Sequence, residues 1–111
     1  MRDSQVDAEP VVVTLPDEVD ITNADSIGEQ LRAAFGPGVA VVVADLTATE
    51  FCDSSGIRNL MGAHDAAVAS DAQLRLVVRA PAVQRVLSVM GLDQLLRIYP
   101  SLDQALAAAE Q

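Results

Sequence analysis

A chain of 111 residues and 11.7 kDa holds one domain, not two. Half of its residues are hydrophobic and only 3% aromatic, so a core can form and Val, Leu, Ile and Ala must fill it. Seven basic residues, all arginine, against sixteen acidic ones give a net charge of −9 and a pI near 4.2, a surface that nucleic-acid phosphates repel and that basic faces of other proteins attract.

Residues 1–10 read as a flexible segment or a weak first strand. Their polar, acidic character is not that of a signal peptide. Val11 to Leu15 is β-branched and predicts a strand, and Pro16 to Asp20 turns the chain. Thr22 with Asp25 three residues later predicts a capping box, with a helix from about Asn23 carrying Ala24, Ile27, Leu31, Ala34 and Phe35 inward. Gly36-Pro37-Gly38 ends it. Val39 to Leu46 is a nearly continuous apolar run, as in a strand buried on both faces.

A second helix is expected from about Ser55 to Ala69, with an apolar stripe of Ile57, Leu60, Met61, Ala67 and Val68. Leu74 to Val78 is the next strand. Pro81 opens a third helix in the first-turn position that proline tolerates, with Val83, Val86, Leu87 and Met90 inward and Gly91 at its end. Leu95 to Tyr99 predicts a last short strand. Ser101 and Gln104 then form a second capping box, before Leu102, Ala105, Leu106 and Ala109. Strands alternating with helices predict an α/β fold with a mixed, mainly parallel sheet of about four or five strands and about four helices.

No apolar run approaches the roughly 20 residues of a membrane span. A single cysteine, Cys52, rules out an internal disulfide framework and a Cys-rich metal site. The expectation is a cytoplasmic protein with no membrane contact, no metal and no cofactor. Its oligomeric state stays open, since an apolar short domain can pair through a strand edge.

The informative stretch runs from Asp45 to Ile57, where a buried strand gives way to a helix opening at Asp53-Ser54-Ser55-Gly56. Backbone N–H groups at a helix start lack partners within the helix, and the dipole is positive there. A phosphate on a serine at that place would meet those N–H groups. By turn chemistry alone, Asp53, Ser54 and Ser55 are equally ordinary helix caps. Cys52 reads as a small buried hydrophobe and His64 as a structural residue on the apolar stripe. A catalytic Ser54 fits poorly. The first glycine of G-x-S-x-G is missing, and His64, the one histidine, lies ten residues on, about 15 Å along the same helix. No P-loop and no G-x-G-x-x-G is present.

Phe51-Cys52-Asp53-Ser54-Ser55-Gly56-Ile57, after the Asp45-Leu46 strand end, resembles the signature of the STAS domain and, more narrowly, of the bacterial anti-sigma factor antagonists. Asp17-Glu18-Val19-Asp20 followed by Ala24 resembles the Gly-Glu-Leu-Asp turn before that family's first helix. Ala80 to Leu87 resembles its third helix, and Gly91-Leu92 and the Ala-rich helix opened by Ser101 also fit. The resemblance covers residues 11–110, read as one STAS domain.

It implies a regulatory binding protein and no enzyme. Such a protein binds an anti-sigma factor that is also a serine kinase of the GHKL ATPase type, and so frees the sigma factor. The kinase then phosphorylates the antagonist and ends the complex, and a PP2C-type phosphatase resets it. The acceptor is the serine directly after the aspartate, which implies Ser54 here. The implied partner-binding surface comprises Asp20, Asp53, Ser54, Ser55, Gly56 and Arg58. Asp17 departs from the family pattern, standing where Gly is usual and where a positive φ would disfavour it. Arg58 and Asn59 depart too, replacing small or apolar residues. These departures keep a second reading open: a STAS scaffold without a phospho-cycle, or a module for a nucleotide or small ligand.

Overall fold

β-Branched residues cluster at positions 11–13, 41–43 and 77–78, and helical stripes lie between them, so each strand must return through a helix to pair in parallel. The structure, a computed structural model, describes residues 9–108 and follows that logic. In chain order the elements are β1 (Val11–Thr14), β2 (Glu18–Val19), α1 (Ala24–Ala34), β3 (Val41–Leu46), β4 (Phe51–Cys52) and α2 (Ser54–Ala69). They continue with β5 (Gln73–Val78), α3 (Pro81–Val89), a 3-10 turn (Leu92–Gln94), β6 (Arg97–Tyr99) and α4 (Leu102–Ala107). The main sheet has the order β1-β3-β5-β6. Its pairs are all parallel, with Val42 opposite Val11 and Leu74, and Leu76 opposite Ile98. β2 and β4 form a separate parallel pair, with Glu18 opposite Phe51 and Val19 opposite Cys52.

Alternation along the strands divides the core in two. Val42, Ala44, Leu46, Leu74, Leu76 and Val78 join the large core beneath α1, α2 and α3. Val41, Val43 and Val77 face the other way and meet Ala105 of α4, with Tyr99 and Leu102 at the margin. Arg75 is on that reverse face, only 1% exposed. Its Nη1 donates to the Ala105 carbonyl at 2.7 Å and its Nε to Gln73 Oε1 at 3.1 Å. The guanidinium carbon stands 5.9 Å from the centroid of the Tyr99 ring.

Several sequence expectations need correction. Thr22 does not cap α1. The N-cap is Asn23, whose side chain makes no cap bond and instead braces the preceding turn: its Oδ1 accepts from the Asp20 N–H and its Nδ2 donates to the Glu18 carbonyl. Val68 and Met90, expected in the core, are exposed. The buried face of α2 includes the expected Ile57, Leu60 and Ala67 together with Ala63, and Val68, at the edge of the expected stripe, falls outside it. Met90 is already the C-cap of α3, and Gly91, at φ 75°, turns the chain away. Leu95 precedes the strand, Leu106 is exposed, and Ala109 lies outside the described residues. So does the first strand or flexible segment expected over 1–10, except Glu9 and Pro10, which belong to no element. Ser101 caps α4 as expected, its Oγ accepting from Gln104 N–H at 3.1 Å.

Candidate functional site

The site is the turn from β4 into α2, and three features hold it rigid. Thr49, fully buried, donates through Oγ1 to the Pro16 carbonyl at 2.7 Å and ties the β3–β4 connection to the end of β1. The Asp17 carbonyl accepts from the Glu50 N–H at 2.8 Å, and the Val19 carbonyl accepts from the Asp53 N–H at 3.1 Å. Gly56, on the first turn of α2, lies so close to the β2–β4 pair that a Cβ there would stand 2.6 Å from Cys52 Sγ and 2.7 Å from Val19 Cγ1. The glycine of Asp-Ser-Ser-Gly is therefore a packing requirement: it lets the helix start rest on the strand ends.

Asp53 is the N-cap, in extended conformation. One oxygen, Oδ1, accepts from the Ser55 N–H at 2.9 Å, the Gly56 N–H at 3.2 Å and the Ser55 hydroxyl at 2.5 Å. These bonds favour the ionised form, so the Asp53 carboxyl is held below its ordinary value. The Ser55 hydroxyl is the largest cause. Desolvation opposes it, and the N–H groups of Gly56, Ser55 and Ile21 add to the lowering. Cys52 behaves in the opposite sense. Burial, with a smaller contribution from the Asp53 charge, pushes its thiol up to about 11, which keeps it protonated and unreactive.

The two serines are thereby separated. Ser55 is 8% exposed and its hydroxyl is committed to Asp53. Ser54, the first residue of α2, is exposed, and its hydroxyl has no hydrogen bond among the described residues. One sequence expectation changes here. The first-turn amides of Ser55 and Gly56 are already taken by the Asp53 carboxylate and are not open to a phosphate.

The other expected residues lie around this turn in different roles. Asp20 is half-buried and organises the entry to α1. Its carboxylate accepts from the Thr22 N–H at 2.9 Å and the Thr22 hydroxyl at 2.5 Å, and its carbonyl accepts from the Ala24 N–H at 2.8 Å. Arg58 is exposed one helical turn after Ser54. His64 lies further along α2, half-buried in a cavity with Val68, Leu95 and Arg97. Asp17 has no positive φ: Asp71 is the one non-glycine residue with that conformation among those described. The departure from Gly at 17 thus needs no strained backbone.

Sequence reasoning noted Asn59 only as a departure from the family pattern and missed its contacts. Its Nδ2 donates to Asp25 Oδ1 on α1 at 3.1 Å and to the Ser55 carbonyl at 3.0 Å. It lies against Gly28, where a Cβ would stand 2.0 Å from Asn59 Oδ1. Asn59 thus joins α1 to the first turn of α2. A polar residue facing a glycine on the neighbouring helix was the available signal.

A parallel α/β sheet with this capped strand-to-helix turn is the architecture of the STAS domain. A profile of that domain matches residues 2–105, and the chain belongs to the STAS domain family. The anti-sigma-F factor antagonist RsfB of Mycobacterium tuberculosis is 26% identical over 95 residues, spanning 86% of this chain and 77% of that protein. The crystal structure of an anti-sigma factor antagonist from Mycobacterium paratuberculosis superposes with a TM-score of 0.76 at 30% identity, covering 86% of this chain and 80% of that one. An anti-sigma-factor antagonist (STAS) domain protein from Planctomyces limnophilus superposes with a TM-score of 0.78 at 25% identity, covering 89% and 88%. No helix among the described residues is long and apolar enough to cross a membrane.

Proposed function

We propose that the protein is a cytoplasmic anti-sigma factor antagonist that binds a GHKL-type serine-kinase anti-sigma factor and is released when that kinase phosphorylates Ser54, with a PP2C-type phosphatase resetting it. The observation that carries this reading is the difference between the two serines: Ser54 offers a free, exposed hydroxyl at a rigid turn, while the hydroxyl of Ser55 is committed to Asp53. Ser54 Oγ attacks the γ-phosphorus of ATP held by the kinase. Its proton passes to a base on the kinase, and the bond to the ADP oxygen breaks. Catalysis belongs to the kinase, and this chain supplies the acceptor.

Asp53 and Gly56 set the acceptor's position, and Asp20, Asp53, Ser55 and Arg58 surround it on the contact surface. The phosphate adds roughly −1.5 to −2 charges beside the Asp53 carboxylate. With the Ser55 and Gly56 amides already taken by Asp53 and that of Ile57 by the Asp53 carbonyl, the first turn leaves that charge little beyond the N–H of Ser54 itself. The phosphate therefore faces the docked protein, where like charge and desolvation oppose rebinding.

The test is incubation of the purified protein with ATP and each GHKL kinase of its host, followed by intact-mass and peptide analysis. One addition of about 80 Da, mapped to Ser54 and absent in Ser54→Ala, is expected. Ser54→Glu should lose kinase binding while Ser54→Ala retains it. Modification at Ser55 instead, no modification with any kinase, or tight binding by Ser54→Glu would each overturn the reading.

A further inference from the structure

Two large apolar side chains are exposed at the turn that carries Ser54: Ile21, 81% exposed, and Phe51, 50% exposed. Nothing in the fold requires either to be apolar. Phe51 lies on the outward side of the β2–β4 pair, opposite Glu18, while its neighbours Val19 and Cys52 are buried inward. Ile21 follows Asp20, and its backbone N–H faces the Asp53 carboxylate. The two residues thus come from the two segments that meet at Asp53, on either side of the helix cap.

The charges beside them on the β2–β4 segments are acidic, with Arg58 of α2 the cation on the same contact surface. Asp17, Glu18 and Glu50 are exposed, and none has an ion-pair partner among the described residues. The Asp17 carbonyl binds the Glu50 N–H, and Glu18 stands opposite Phe51, so these carboxylates belong to the same small pair of strands as the aromatic ring. An apolar centre within a charged rim is the anatomy of a specific protein interface. The centre supplies affinity, and the rim supplies steering and orientation.

We propose that Ile21 and Phe51 are the anchoring residues of the contact with the serine-kinase anti-sigma factor, and that the kinase meets them with an apolar socket rimmed by arginine or lysine. This rests on the function proposed above. It adds that affinity resides in two apolar side chains beside the acceptor, while Asp17, Glu18 and Glu50 govern the rate of encounter. Phosphate on Ser54 then places charge next to the apolar contact, where its desolvation opposes docking most strongly.

The experiment is a titration of the purified kinase that modifies Ser54 with four proteins: the parent, Ile21→Ser, Phe51→Ser and Val89→Ser. Val89 is matched to Ile21 in exposure, at 79%, and lies at the far end of α3. Thermal unfolding of each protein controls for folding. Ile21→Ser and Phe51→Ser are each expected to weaken binding about thirtyfold with unchanged melting, and Val89→Ser not at all. KM for phosphorylation of Ser54 should rise with little change in kcat. The triple variant Asp17→Asn, Glu18→Gln, Glu50→Gln should slow association about tenfold at low salt and flatten its salt dependence.

If the kinase binds and modifies Ser54 but both apolar variants bind like the parent, the anchoring proposal falls and the function stands. Equal loss with Val89→Ser would also overturn it, by making exposed apolar area rather than this turn the cause. Should Phe51→Ser melt early, Ile21→Ser alone decides. If no host kinase binds the parent protein, the function and this proposal fail together.

Discussion

The two faces of the main sheet are held by different physics. Beneath α1, α2 and α3 lies a broad apolar core with Leu31, Leu46, Ile57, Leu60, Leu76 and Leu87 fully enclosed. On the reverse face, six-residue α4 contributes one buried side chain, Ala105, and is held by the guanidinium of Arg75. Hydrophobic area accumulates over many contacts, so the first arrangement tolerates the loss of any one of them. The second is a small apolar cluster around Ala105 joined to a buried guanidinium that reaches the Ala105 carbonyl. Ser54, the proposed acceptor, lies on the large-core face, as the first residue of a sixteen-residue helix braced by Asn59 and Thr49. A surface that must dock and release without refolding needs that rigidity.

The sharpest way to break this contrast is at Arg75. Arg75→Ala leaves the Ala105 carbonyl without its donor and opens a void, so a loss of about 3 kcal/mol is expected in urea unfolding. Arg75→Met keeps much of the volume and sheds the charge, and should cost about 1 kcal/mol. In both variants, hydrogen exchange should accelerate first at the α4 amides, while α2 keeps its protection until global unfolding. Equal acceleration in α2 and α4 would show that the two faces form one cooperative unit.

On the other face the corresponding weak point is steric. Gly56→Ala drives a methyl group against Val19 and Cys52 Sγ, and the helix start must move off the β2–β4 pair. Overpacking of this kind costs about 2 kcal/mol. Because the shift carries Ser54 with it, the phosphorylation rate should fall as well. Arg75→Ala, acting on the opposite face, should leave that rate unchanged. A Gly56→Ala protein with parental melting and parental phosphorylation would show that the close approach is not needed.

The sequence made the large-core face legible and the reverse face much less so. Strands, helices and most of the core follow from periodicity, because burying apolar stripes on a sheet leaves few alternatives. A cap within Asp53-Ser54-Ser55 was visible too, although turn chemistry left all three residues as candidates. The edge of the α2 stripe was less legible: Ile57, Leu60 and Ala67 are inward as expected, but Ala63 is buried and Val68 turns out, so small size at the contact counted for more than hydrophobicity. The hydrogen bonds of the Asp20 carboxylate to Thr22, which organise its turn, were not foreseen. The burial of Arg75 had no local signal, because its carbonyl partner lies thirty residues away. The sequence pointed to Ser54 over Ser55 by resemblance alone, and it carried no sign that the Ser55 hydroxyl would be bound to Asp53.

The smallest expected effect concerns pH and separates the cap from the acceptor. The folded-state value of Asp53 is depressed, so the ionised cap stabilises the start of α2 above the ordinary carboxyl value of 3.8. That contribution is lost as pH falls from there through the lower folded value, where the carboxylate protonates and the Ser55 and Gly56 amides lose a charged acceptor. Ser55→Ala removes the largest cause of the depression, so its folded-state value should rise toward 3.8. NMR titration of the Asp53 carboxyl should show this rise, and the stability lost on acidification, which begins from the same unfolded-state value in both proteins, should be smaller in Ser55→Ala than in the parent. Ser54→Ala touches none of these bonds and should leave both the titration and the melting profile unchanged. If Ser54→Ala shifted the Asp53 titration as far as Ser55→Ala does, the two hydroxyls would share the cap, and Ser54 would no longer be the free one.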